Sequence, residues 1–119
     1  MVSALLGNKA IDSGSIDAAV LSSTVPPLEA TFKTVCQRNF QVTPFVVGMG
    51  VKTGIRVRYD NPREVGPDRI LHAVAALDRH APPLIIVDFG TALVLDAVSR
   101  EGDYLGGSIA PGVGIAAQA

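Results

Sequence analysis

This sequence has no tryptophan, two tyrosines, four phenylalanines and a single cysteine, Cys36, in 119 residues. A lone cysteine forbids an internal disulfide and suits a reducing compartment, so a cytoplasmic protein is expected. With so few aromatics, any core has to be built from aliphatic side chains. Excess charge is missing too. The formal net charge is −1, and basic residues group no more tightly than the loose series Arg56, Arg58, Arg63 and Arg69. That offers little to a polyanion and argues against nucleic-acid and membrane-surface partners. No apolar run is long enough to cross a bilayer, and the first residues lack the basic start and apolar stretch of a secretory leader. What is present is 48% hydrophobic residues against 18% charged, the balance of a folded chain rather than a disordered one.

The order of patterns is that of an α/β protein. Val2, Leu5 and Leu6 suit a short helix stopped at Gly7-Asn8. Ile16–Ser22 reads as a strand, the prolines Pro26-Pro27 open a helix, and Leu28, Phe32, Val35 and Cys36 recur at helical spacing to about Asn39. Cys36 lies on that stripe, as a small core residue rather than a nucleophile. Thr43–Val47 is a second strand, so strand, helix and strand form one βαβ unit. After Gly48-Met49-Gly50 the texture changes, and a boundary is expected between Gly48 and Gly54. Lys52–Tyr59 alternates as a half-exposed strand does, Asp60-Asn61-Pro62 turns, and Arg69 to about His80 is a helix with Asp68 as cap or first-turn acid.

The central stretch is LIIVDFGTALVLDAV, Leu84–Val98. Leu84–Val87 has the unbroken apolar character of a strand buried on both faces. It ends in an acid, Asp88, and bends at Gly90-Thr91 before the chain turns apolar again. A carboxylate at the end of a buried strand calls for a cation or several donors. The Gly90 and Thr91 N–H groups could face a phosphate. Tyr104–Ala110 is a further strand, in which Gly106-Gly107 marks a bulge or a close approach of backbones.

Taken singly, these features have structural explanations. Asp88-Phe89-Gly90 matches the magnesium-binding tripeptide of protein kinases, but the glycine-rich loop, strand lysine and HRD loop of that family are missing. Taken together, YDNPREVGPDRI, LIIVDFGTA and YLGGSIAPG, in this order and after AVLSSTVP, resemble the type III pantothenate kinase family, also known as Bvg accessory factors. The resemblance covers almost the whole chain. It implies an α/β fold of the ribonuclease-H-like kind shared by acetate and sugar kinases and actin. Residues 1–50 would be the end of one such domain and residues 51–119 the start of a second. It implies ATP-dependent phosphorylation of pantothenate to 4′-phosphopantothenate, the first step of coenzyme A synthesis, by a homodimer. The family's GxDR motif falls on Gly66, Pro67, Asp68 and Arg69, with Asp68 as general base. Tyr59 and these four residues would bind substrate. Thr91 would contact ATP, which arrives with magnesium, and Asp88 would hold potassium or ammonium.

There are departures. Nothing in Met1–Ser15 matches the family's first phosphate loop, a DxGNT-like motif, and Leu93 and Val94 stand where hydroxyl residues are usual. Pro67 replaces a small residue. The expectation is therefore part of a larger kinase, with little activity in this stretch alone. A non-catalytic regulatory module on the same fold is the alternative, and a kinase of another hydroxyl substrate a third. His72, four residues after Asp68, could reach that acid, although a peripheral role is the simpler one.

Overall fold

The computed structural model describes residues 2–48 and 50–118. Met1, Met49 of the expected boundary and Ala119 lie outside the described residues. The chain divides into two compact units, Met1–Met49 and Gly50–Ala119.

The first unit carries α1 (Val2–Asn8), a 3-10 turn at Ser13–Ser15, β1 (Val20–Ser22), α2 (Pro26–Phe40) and β2 (Phe45–Val47). The expected helix stop after Gly7-Asn8 is there: the Ile11 N–H returns to the Leu6 carbonyl around Ala10 at φ +54°. β1 and β2 pair in parallel, Val20 with Phe45 and Ser22 with Val47, with α2 between them in the chain. Both strands are shorter than expected. Pro44 explains one limit, because proline has no N–H to give a ladder.

The second unit is built on an antiparallel sheet of β3 (Leu84–Phe89), β4 (Ala92–Val98) and β5 (Tyr104–Pro111), with β4 in the centre. The helix α3 (Pro67–Arg79) packs on β3 and β4, and a short α4 (Val113–Ala116) follows β5. Pro67 occupies the first helical position, where its missing N–H costs nothing. The core lies under α3: Val65, Ala73, Val98 and Tyr104 are buried, with Ile70, Leu77, Leu84 and Ile86 packed against them.

Two strand expectations are corrected. β3 is an edge strand with only one face on this core. Leu84 and Ile86 face inward, while Ile85 and Phe89 are 69% and 73% exposed within the chain. An apolar run fits a doubly buried strand, but strict alternation of burial overrides it here. Lys52–Tyr59 keeps its alternation yet makes no ladder. It touches β5 through one parallel bridge, Val57 to Tyr104, closed by Arg58 N–H to Tyr104 O and Tyr104 N–H to Arg56 O. Gly54 at φ +83° breaks the extended run before the bridge, and Gly106 at φ +98° breaks β5 after it.

Candidate active site

The local build of α3 decides what its first turn can offer. Gly66 is its N-cap and has no side chain, so no side-chain cap bond forms there. Asp68 stands in the first turn and is not a cap. It is exposed and has no hydrogen-bond or ion-pair partner among the described residues. The helix dipole favours its charge, and its lone pairs remain open to a ligand.

The neighbouring Arg69 is held on the opposite side. Its Nε donates to both oxygens of Asp96, at 3.1 and 3.2 Å, and its Nη2 donates to Asp96 Oδ1. Tyr104 donates its hydroxyl to the same Oδ1 at 2.7 Å. The Arg69 guanidinium carbon also lies 5.9 Å from the centre of the Tyr104 ring. Asp96 is 2% exposed in the middle of the central strand, so its charge needs these donors. The hydrogen bond to Asp96 holds the Arg69 guanidinium above its ordinary pKa, against desolvation. Burial, then the hydrogen bond to Asp96, pushes the Tyr104 phenol up. The fork expected to meet substrate is therefore partly engaged by protein. Its Nη1 N–H groups have no partner among the described residues.

The glycines of β5 have packing reasons. Gly106 sits at the register shift between β4 and β5, and a Cβ there would come within 2.5 Å of Tyr59 Cδ2. The Cδ2–Cε2 edge of the Tyr59 ring therefore lies against the Gly106 backbone. A Cβ at Gly107 would meet the Leu95 carbonyl and stand 2.7 Å from Asp96 Oδ1. Both the expected bulge and the expected close approach are present.

At the other end of the sheet, Asp88 lies one residue before the end of β3, opposite Val94. Its carboxylate is 43% exposed, and His72 Nδ1 lies 3.8 Å from its Oδ2. His72 thus turns toward Asp88 and not Asp68. Gly90 N–H bonds to the Ala92 carbonyl at 2.9 Å, which corrects the idea that it is free for a phosphate. The tight hairpin consumes that donor. Gly112 N–H bonds to the Thr91 carbonyl at 3.0 Å, in a space that only a glycine fits. Thr91 itself is exposed, with no side-chain bond among the described residues.

The second unit thus brings Tyr59, Arg69, Asp96 and Tyr104 into one cluster, with Asp68 beside Arg69 and His72 beside Asp88. Asp96 and Tyr104 were missed from sequence. A lone acid inside the apolar LVLDAV run was the available signal. Arg58 Nε approaches Asp103 Oδ2 to 2.6 Å without hydrogen-bond alignment, so that contact is Coulombic and ties down the bridge segment. Among the described residues no helix is long and apolar enough to cross a membrane.

The chain is a mixed α/β protein with an open acid beside an anchored arginine. The comparisons define the family. The model for type III pantothenate kinase matches residues 1–119. "Type III pantothenate kinase 2" of Symbiobacterium thermophilum is 53% identical over 97% of this chain and 44% of its own length. The type III pantothenate kinase of Pelobacter propionicus is 48% identical over 100% of this chain and 47% of its own. That of Koribacter versatilis is 52% identical over 96% of this chain and 41% of its own. The chain belongs to the type III pantothenate kinase family. It spans less than half the length of these curated relatives.

Proposed function

We propose that the protein transfers the γ-phosphoryl group of ATP to the primary hydroxyl of pantothenate, giving 4′-phosphopantothenate and ADP at the entry to coenzyme A synthesis. The observation that carries this is the unpartnered Asp68 at the first turn of α3, in a chain of this family. A primary hydroxyl is a poor nucleophile until a base begins to take its proton. Asp68 is that base: its carboxylate is exposed, and among the described residues no donor competes for it. The free Nη1 donors of Arg69 would meet the pantothenate carboxylate or the phosphoryl oxygens. Tyr59, its ring edge against Gly106, would wall the substrate, and Gly66 and Pro67 would let it approach the helix start. Thr91 at the hairpin would contact ATP.

The donor set at Asp88 fits a monovalent cation better than a transition metal. Its carboxylate is half open, and no group of three or more His, Cys, Asp or Glu converges among the described residues. Asp88 would hold potassium or ammonium, and magnesium would come with ATP; both supply positive charge against the phosphates. The same reading places the two units in ribonuclease-H-like domains, residues 1–50 and 51–119, of a cytoplasmic homodimer.

The test is product formation by the full-length protein carrying this sequence, with ATP, magnesium, pantothenate and potassium. Mass spectrometry should find 4′-phosphopantothenate matched to ADP. Asp68→Asn should lower kcat by about 100-fold or more, with the pantothenate KM little changed. A fully active Asp68→Asn, or no product from the wild type, would overturn the assignment.

A further inference from the structure

We propose that Asp96, held by Tyr104, is the positioning residue of this site. It sets the Arg69 guanidinium and, through it, the first turn of α3 that carries Asp68. The inference rests on the pantothenate reading above.

Stability alone gives little reason for such a pair, since a buried ion pair is often no better than well-packed apolar residues. Its geometry suggests another use. The fork of Asp96 fixes Arg69 in plane through Nε and Nη2, and the Tyr104 ring fixes it from its face. Tyr104 also fixes the carboxylate by its 2.7 Å hydrogen bond, so the anchor does not swing. Arg69 keeps 12% of its side chain exposed, and the Nη1 donors are the ones left without a partner among the described residues. Donors already aimed before a ligand arrives lose less entropy on binding it.

The backbone adds a second consequence. The first turn of α3 has no side-chain cap, because its N-cap is Gly66. The Arg69–Asp96 fork is the polar tie between that turn and the central strand, 27 residues away, and acts beside the packing of Ile70 on the core. Asp68 precedes Arg69 directly, so loosening the fork frees both groups together. Asp96 touches neither substrate nor phosphate in this scheme. It acts through Arg69, and Tyr104 acts through Asp96.

The experiment compares wild type, Asp96→Asn and Tyr104→Phe of the full-length protein by steady-state kinetics and by NMR of the arginine Nε–H. Asp96→Asn should raise the pantothenate KM about 10- to 100-fold, with the ATP KM within about twofold. Its Arg69 Nε–H, protected in the wild type, should exchange rapidly. Tyr104→Phe keeps the ion pair, so the same changes should appear several-fold smaller, and it carries the test if Asp96→Asn does not fold. Folded variants with wild-type pantothenate KM would overturn the proposal and leave the function standing. So would equal losses for both substrates that track the loss of folded protein, the result for a pair that only closes the core. A wild type inactive on pantothenate would remove the function and this proposal with it.

Discussion

Removing Arg69 should cost more than removing Arg69 and the Asp96 charge together. In Arg69→Met the helix keeps an apolar stem of similar length, but Asp96 remains buried with, among the described residues, only the Tyr104 hydroxyl as a side-chain donor. Breaking a buried pair on one side typically costs about 3–5 kcal/mol, because the remaining charge is stranded. That is a large part of the roughly 5–15 kcal/mol that holds a domain folded. Asp96→Asn strands the other partner, but Arg69 is 12% exposed against 2% for Asp96 and can shift toward water, so its loss should be nearer 2 kcal/mol. In the double variant neither charge of the pair remains, and Tyr104 can still donate to the Asn oxygen. Its loss should fall below that of Arg69→Met alone, giving a coupling of at least about 2 kcal/mol. The assay is urea unfolding followed by tyrosine fluorescence. There is no tryptophan, and both tyrosines lie in the unit Gly50–Ala119, so the signal reports on the unit that holds the pair. Additive losses in the double variant, or an Arg69→Met loss under about 1 kcal/mol, would refute the reasoning.

Two further outcomes follow from the same sheet. Tyr104 holds its proton more tightly folded than unfolded, so its contribution is complete below the ordinary value of 10.0 and is lost as pH rises through the higher folded one. Unfolding free energy should therefore decline above about pH 10, and Tyr104→Phe should flatten that decline; an unchanged slope in the variant would count against the buried hydroxyl. Gly107→Ala should be far worse than Gly106→Ala. At Gly107 the new carbon strikes the Leu95 carbonyl of the central strand, and a loss above about 3 kcal/mol is expected in thermal unfolding. At Gly106 it strains the backbone at φ +98° and meets the Tyr59 ring, which can move, for about 1–2 kcal/mol. Reversal of that order would show that β4 and β5 are not as close as described.

Much of the local architecture was legible because it depends on neighbours in the chain. Pro67 at a helix start, the turn at Gly90-Thr91 and the alternation of Arg56, Val57 and Arg58 are written in a few residues each, and each is where the pattern put it. The motifs GPDR, DFGT and GGSIAPG indicated the family that the comparisons define. Strand length and burial were less legible. Whether Leu84–Val87 is covered on one face or two depends on what packs against it. An apolar run looks the same in either case until the sheet order makes β3 an edge.

Asp96 shows where local reading stops, and why. In LVLDAV a single acid breaks an apolar strand, which from sequence alone is equally a bulge, an edge position or a fault in the strand assignment. Its meaning depends on three facts that no short window contains. β4 is central, so Asp96 has no edge through which to reach water. The register sets Asp96 opposite Ile86 and Gly107, neither of which can donate from a side chain. The helix that covers it begins with an arginine in its first turn, where cations are mildly disfavoured by the dipole. Each of the two charges is unfavourable in its own element, and each is satisfied mainly by the other, with Tyr104 supporting both. A helix-start arginine and a mid-strand acid, both against local preference, are therefore a joint signal. The pair of anomalies points to a contact that neither element would specify alone.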